Sequence, residues 1–239
     1  MTEHSRRAFI ATMGTTSLGL TGSAAAERDW ENDGDEITRT DDLDELREYM
    51  PYLAYSRGSE SRDQLIGLYG WKAESPDHDT DAYSYWARYT NQNAGLEELG
   101  ITDRVAGLLA SDAHLWDHEP SITFVNPDTG DVEEVVYTKG HHSVGVIEKD
   151  IPLINGTNVS LEVVDPWHHY TPDDDKEGVD VTNFAEFGSF LDHRERWEEV
   201  GFYENSKAEA IDNPWTARKS DTWFESRRDR YAAMLWGFL

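Results

Sequence analysis

Alternation of apolar and polar positions is clearest between residues 119 and 164. Ile122 and Phe124 alternate with polar neighbours, and the alternation resumes at Val132 after the turn-forming segment 126–131, Asn-Pro-Asp-Thr-Gly-Asp. A period of two residues is typical of a strand with one buried face, and this turn chemistry favours a hairpin. Further strands are predicted over residues 83–89, 144–147 and 159–164.

Helical periodicity is confined to shorter parts of the chain. Residues 41–52 form a predicted capped helix with Leu43, Leu46 and Met50 on one side. Residues 102–110 have helical character, and helices are also predicted over residues 184–200 and 223–239. The pattern therefore predicts a mainly β protein, a β-sandwich with flanking α-helices in an α+β arrangement.

The first 26 residues are typical of an export signal. Ser5-Arg6-Arg7 followed by a modest apolar run and three alanines at 24–26 is a twin-arginine pattern with a cleavage site. We therefore expect a signal peptide over 1–26, a flexible acidic segment over 27–42 and a single β-sandwich-like domain with C-terminal helices over 43–239. The apolar end at 234–239 is expected to pack onto the sheet. No later segment is apolar enough to cross a bilayer, so the mature protein is predicted to be secreted.

The charge of the chain indicates its habitat. The formal net charge is -27 over 239 residues, with only six lysines. Molar salt screens such a surface, so the composition predicts an extreme halophile, an archaeon. Repulsion argues against nucleic acid and anionic membranes as partners. There is no cysteine, which excludes disulfides and a cysteine nucleophile.

The segment His114-Leu-Trp-Asp117-His118-Glu119 carries the densest chemistry. On an extended backbone the side chains of Asp117 and Glu119 point to the same face, and His114 lies just upstream. One imidazole nitrogen and two carboxylates from a short segment predict a divalent-cation site.

Most other histidines lie in pairs near predicted strand ends. Loops at one edge of a sheet gather residues that are distant in the sequence. A possible additional site therefore comprises His118, His141, His142, His168 and His169.

Two further surface features are predicted. Asn155-Gly-Thr157 and Asn158-Val-Ser160 are adjacent glycosylation triplets in a turn. The acidic loop 173–178 is interpreted as a solvated turn, with Ca²⁺ binding as its alternative.

The order of these motifs resembles the necrosis-inducing (Nep1-like) secreted proteins of microbes. In that family an aromatic strand precedes a Gly-His-Arg-His-Asp-Trp-Glu heptad, a hairpin and a later strand that ends in Ser-x-His. Here residues 85–89 match the aromatic strand, residues 114–119 match the heptad at His, Asp and Glu, and residues 137–142 match the later strand. Residues 165–170 resemble a motif of a related vacuolar-sorting-associated β-sandwich domain, so the likeness spans about residues 83–170.

This resemblance implies a β-sandwich with Ca²⁺ or Mg²⁺, rather than Zn²⁺, at His114, Asp117 and Glu119. The family's fourth ligand, an aspartate, falls near Gln92, whose neutral amide removes one charge, and Asp112 is the available substitute. The expected role is binding or surface interaction, with carbohydrate or a cell-surface component as the partner. Trp116, Trp167 and the tyrosines offer faces for stacking on sugars.

Two other functions remain open at this stage. A zinc hydrolase would use His114 and His118 as i, i+4 ligands on a helix, with Asp117 as general base. Pro120 and the β pattern that follows argue against that helix. A non-catalytic structural module is the other alternative. A pairing of His142 with Asp165 is rejected, because no nucleophile accompanies it.

Overall fold

The computed structural model describes residues 36–90, 118–140, 143–190, 213–219 and 223. Two α-helices are described within these ranges, α1 (Leu43–Tyr49) and α2 (Glu60–Gln64). The strands are β1 (Thr38–Thr40), β2 (Tyr52–Tyr55), β3 (Leu65–Glu74), β4 (Asp81–Tyr89), β5 (His118–Val125), β6 (Val132–Lys139), β7 (Ser143–Ile147), β8 (Leu153–Ile154), β9 (Asn158–Val163), β10 (Tyr170–Pro172) and β11 (Glu186–Ser189). Short 3-10 helices occupy Val181–Asn183 and Pro214–Lys219.

The described strands form two sheets. The larger has the order β1-β3-β4-β5-β6-β7, antiparallel throughout, and β11 adds to β3 in parallel. In the smaller sheet β9 is the centre, with β2 parallel on one side and β8 and β10 antiparallel to it. The mainly β sandwich expected from the sequence is confirmed.

Alternation along β4 explains why the sheets pack. Tyr83, Tyr85 and Tyr89 point into the core between the two sheets, where they meet Leu161 and other side chains of the small sheet. The hydroxyl of Tyr85 donates to the Leu46 carbonyl at 2.7 Å, so this buried phenol is hydrogen-bonded. An aromatic core of this kind supplies the apolar burial that a cysteine-free chain needs.

The opposite face of the large sheet is buried as well. Trp71, Trp86 and Phe124 lie on it and pack with Trp215 and Trp223 from the C-terminal part of the chain. The described residues therefore bury side chains on both faces of the large sheet. The apolar end at 234–239 lies outside the described residues.

The predicted start of the first helix and the predicted turn at 126–131 are confirmed, but the helix ends at Tyr49 and Tyr52 begins strand β2. Helix α1 begins after Asp42, whose side chain accepts the backbone N–H groups of Asp44 and Glu45. In the β5–β6 hairpin the Asn126 side chain accepts two backbone N–H groups, and Gly130 has a φ of +76°.

Three expectations need correction. Residues 38–40 lie in the segment expected to be flexible, yet they form β1 against β3. A helix over residues 184–200 is wrong at 186–189, which form β11 because pairing with β3 overrides local periodicity. The ten-residue strand β3 was not predicted; it is buried on both faces and does not alternate. The predicted helices around 102–110 and 223–239 lie outside the described residues, apart from Trp223.

The strand directions define two ends of the sandwich. At the upper end, β4 finishes at Tyr89, β5 begins at His118 and β6 finishes at Lys139. At the lower end lie Val125 and Asn158. None of the helices in the described ranges has both the length and the apolarity that spanning a membrane requires.

Candidate functional site at the upper end

Glu119 is the one predicted ligand of the three-residue set that the structure describes. It lies opposite Ala87 in the β4–β5 register, on the sheet face that points into the sandwich, and only 2% of it is exposed. The hydroxyl of Tyr170 donates to the Glu119 carbonyl at 3.2 Å. A hard oxygen donor is thus held inside the upper end of the sandwich.

Tyr89 and Tyr170 lie close to Glu119. Burial raises the pKa of Tyr89 well above its usual value, and the neighbouring Tyr55, Tyr170 and Glu119 raise it further. Burial also raises the pKa of Tyr55, against the hydrogen bond from Tyr89 that lowers it. These phenols are therefore neutral hydrogen-bonding groups at any physiological pH.

His168 is fully buried beside these tyrosines. Its ring stacks on Tyr89 with centroids 4.0 Å apart and planes 7° from parallel. Its Nε2 lies 2.7 Å from Gln64 Oε1, within hydrogen-bonding distance. His168 has a φ of +62°, a conformation that turns the chain sharply at this position.

The turn that carries His168 is tied to the neighbouring loop by Asp165. The hydroxyls of Ser56 and Ser59 donate to the Asp165 carboxylate at 3.3 and 2.8 Å. Ser61 donates both its hydroxyl and its backbone N–H. Burial raises the pKa of Asp165, but these hydrogen bonds outweigh it, so that the pKa lies below its usual value. The peptide bond between Asp165 and Pro166 is cis.

The same turn presents an exposed aromatic side chain. Trp167 is 41% exposed, and its ring lies 6.4 Å from that of His169. A Cβ placed on Gly140 would lie 3.9 Å from His169 Nε2, so the end of β6 and this turn are neighbours. The strand end that precedes His141 and His142 thus meets the His168–His169 turn.

The structure places His118 and Glu119 on different faces of the large sheet, and it does not describe several other predicted site residues. His118 is opposite Arg88, and strand alternation turns its side chain to the sheet face opposite to Glu119. The joint site of five histidines stays a prediction, because His141 and His142 lie outside the described residues. His118 itself is the first residue of strand β5, whereas the zinc alternative requires it in a helix. Outside the described residues lie His114, Asp117, Gln92, Asp112, Trp116, His141 and His142.

Within the described ranges, no group of three or more His, Asp or Glu residues is arranged to hold a metal ion. Glu119 fits the chemistry of Ca²⁺ or Mg²⁺, both of which prefer oxygen ligands. The acidic loop 173–178 is organised internally, since Asp173 Oδ2 accepts the Ser160 hydroxyl and the backbone N–H groups of Glu177 and Gly178. The Asp173 carboxylate therefore stabilises the turn through these hydrogen bonds.

Sequence reasoning missed several residues of the upper end. Gln64, Tyr55 and the serines that bind Asp165 are more than 50 residues from Glu119 or from the turn they contact. The alternating tyrosines of β4 were the available signal for the phenol cluster. Nothing in the sequence marks Ser59 and Ser61 as partners of an aspartate.

Several solved structures are similar to this chain. One is Necrosis and Ethylene inducing Protein 2 from the causal agent of cocoa's witches' broom disease, with 14% identity, TM-score 0.46, and 75% of this chain and 90% of that one covered. Another is NLPPya in complex with glucosamine, at 10% identity and TM-score 0.39, covering 56% and 68%. A third, described as a toxin fold for microbial attack and plant defense, has 9% identity and TM-score 0.40, covering 58% and 71%.

Structures of necrosis-inducing proteins are thus among those similar to this chain, at low sequence identity and with TM-scores below 0.5. No protein-family model matches the sequence, and no curated protein matches it significantly.

Proposed function

We propose that this protein is an exported, non-catalytic binding protein of a halophile. It holds a divalent cation, Ca²⁺ or Mg²⁺, at the upper end through His114, Asp117 and Glu119. The single observation that carries the proposal is the buried carboxylate of Glu119 at the start of β5. His114 and Asp117 precede Glu119 by only a few residues in the sequence, which is the reason for including them in the proposed ligand set. Gln92 or Asp112 supplies a further oxygen.

The bound cation supplies a fixed positive charge that orders hydroxyl or carboxylate oxygens of a ligand. The chain positions Glu119 through the Tyr170 hydrogen bond and through strand pairing with β4. Burial raises the pKa of Tyr89, so this neighbouring phenol stays neutral and adds no charge beside Glu119. This arrangement supports binding rather than turnover.

The ligand class that we propose is carbohydrate, free or on a cell surface. An indole face that is 41% exposed on a turn anchored by Asp165 is a suitable stacking platform for a sugar ring. His169 beside it offers a hydrogen-bonding group. The acidic surface argues against nucleic acid as the partner.

Calcium titration of the chelator-treated protein in molar KCl tests the cation site. We expect Glu119→Gln to lower Ca²⁺ affinity by roughly tenfold or more, because ligand charge sets affinity. Asp117→Asn is expected to do the same. Glu162→Gln, on an exposed position of β9, is the matched control and should bind like the parent protein. Unchanged affinity in Glu119→Gln would remove the site.

Glucosamine serves as the probe for the ligand. Its binding should require Ca²⁺, should be lost in Trp167→Ala and should be largely kept in Trp167→Phe, which retains an aromatic face. If chelation instead abolishes a hydrolytic activity, the binding proposal is wrong.

A further inference from the structure

The two adjacent glycosylation triplets have very different environments in the fold. Transfer of an N-linked glycan requires a reachable asparagine Nδ2 and a reachable hydroxyl two residues later. Asn158 is the first residue of β9 and is 5% exposed, whereas Asn155 lies in the turn before it and is exposed.

The side-chain amide of Asn158 donates hydrogen bonds to backbone carbonyls at the end of helix α1. Its Nδ2 lies 3.3, 3.2 and 3.0 Å from the backbone oxygens of Arg47, Glu48 and Met50. These carbonyls belong to the last turn of α1, where no helical N–H remains to pair with them. Asn158 therefore caps the C-terminal end of α1 from a strand more than a hundred residues away, and a glycan on Nδ2 would break this cap.

The hydroxyl of the second triplet is engaged as well. Ser160 is fully buried, donates to Asp173 Oδ2 at 2.6 Å and accepts the Gly178 N–H at 3.1 Å. Neither chemical group that glycan transfer needs is therefore accessible in the folded second triplet.

The first triplet is more accessible, since Asn155 is exposed, while Thr157 is half-buried and its hydroxyl donates to Asn158 Oδ1 only at a long 3.4 Å. Asn155 and Gly156 have φ values of +57° and +88° and are the central residues of the β-turn from Ile154 to Thr157, which connects β8 to β9 and is closed by a hydrogen bond from the Thr157 N–H to the Ile154 carbonyl. An Asn-Gly turn of this kind is favoured by hairpin geometry alone. A Cβ on Gly156 would meet no atom within 4 Å, so the space around the turn is open.

We propose that Asn155 carries an N-linked glycan and that Asn158 is a capping residue that carries none. For a chain exported after folding, the accessibility in the native structure decides the acceptor. The β8–β9 turn is at the lower end, separated from the Glu119 end by the length of β9, roughly 20 Å. A glycan at Asn155 leaves the candidate ligand site uncovered.

The experiment is secretion of the full chain from a haloarchaeal host in which a co-produced reporter is verifiably N-glycosylated. Glycopeptide mass spectrometry with fragmentation that preserves the glycan assigns the modified residue. Thr157→Ala removes only the first triplet, since Asn155 and Gly156 stay in place. Ser160→Thr retains the second triplet and is the matched control.

We expect the glycan on Asn155 in the parent protein and in Ser160→Thr, and no glycan in Thr157→Ala. Asn158→Gln, which also removes the second triplet, is expected to keep the Asn155 glycan but to lower the melting temperature, because the α1 cap is lost. A glycan on Asn158, or an unmodified Asn155 alongside a modified reporter, overturns the proposal. Neither result depends on whether Glu119 binds a cation.

Discussion

Lys72, one of only six lysines in this acidic chain, forms ion pairs with three carboxylates. Its Nζ lies 2.8 Å from Glu45, 2.6 Å from Glu74 and 3.0 Å from Asp81, and its side chain is 9% exposed. Tyr83 donates to the same Glu45 oxygen. A single ammonium group therefore joins α1, β3 and β4 at the lower end of the sandwich.

We expect Lys72→Met to lower the free energy of unfolding by about 2–3 kcal/mol. Breaking a buried ion pair costs about 3–5 kcal/mol, and the loss is smaller here because Glu45 and Glu74 are partly solvated. Urea denaturation measures the change. Lys149→Met, at an exposed lysine, is the control and should stay within about 0.5 kcal/mol of the parent protein. Equal stability of the two variants would exclude a stabilising role for the cluster.

The pH range of the Lys72 contribution follows from the direction of its pKa shift. Burial lowers the pKa of Lys72, but the hydrogen bonds to the three carboxylates outweigh burial and raise it. A pKa that is higher in the folded chain gives stability that is complete below the unfolded pKa, about 10.4, and is lost as the pH rises through the folded value. Mild alkali therefore leaves this cluster intact.

At the scale of elements, strand pairing between distant parts of the chain determined two strands, β3 and β11, that the local hydrophobic pattern did not predict. The hydrophobic pattern found β4 and the β5–β6 hairpin because each alternates and ends at turn residues. It missed β3, since a strand buried on both faces has no alternation. It also assigned a helix to residues that form β11, whose partner β3 is more than a hundred residues earlier.

The Asp165 turn gives the prediction at this scale. Its pKa is lower in the folded chain than in the unfolded chain, so its contribution is complete above about pH 4 and is lost as the pH falls through the folded value. We expect Asp165→Asn to cost about 1–3 kcal/mol at pH 7. It should also flatten the decline of stability at pH values below about 4.

Chemical denaturation at several pH values measures both effects. Asp174→Asn, at an exposed position of the acidic loop, is the control and should keep the parent slope. If Asp165→Asn retains the full acid dependence, the hydrogen bonds from Ser59 and Ser61 do not couple protonation to folding. Sugar binding by this variant should weaken as well, because the turn that presents Trp167 loses its anchor.

At the scale of the molecule, surface charge and the burial of aromatic side chains have opposite effects on the stability of the folded state. The chain combines a net charge of -27 with a large sheet that has buried side chains on both faces. Aromatic burial favours the compact state, whereas repulsion among surface carboxylates opposes it. Molar salt screens the repulsion among carboxylates but leaves the aromatic burial in place.

We therefore expect the melting temperature to rise as KCl increases from 0.1 to 2 M. Relief of about 2 kcal/mol of repulsion corresponds to roughly 4–8 °C for a domain of this size. Differential scanning fluorimetry measures the shift, and an equally concentrated uncharged osmolyte is the control. A melting temperature independent of salt would remove the halophile interpretation of the composition.

The sequence by itself determined the β class, the hairpin at 126–131, the start of α1 and the acidic surface, since each follows from local periodicity, turn chemistry or composition. Only the tertiary structure decided that Glu119 and His118 lie on opposite, buried faces of the large sheet, because register and alternation assign the faces. The tertiary structure also decided that Asn158 caps helix α1 and that three distant serines donate hydrogen bonds to Asp165. Such hydrogen bonds between elements depend on how the sheets pack.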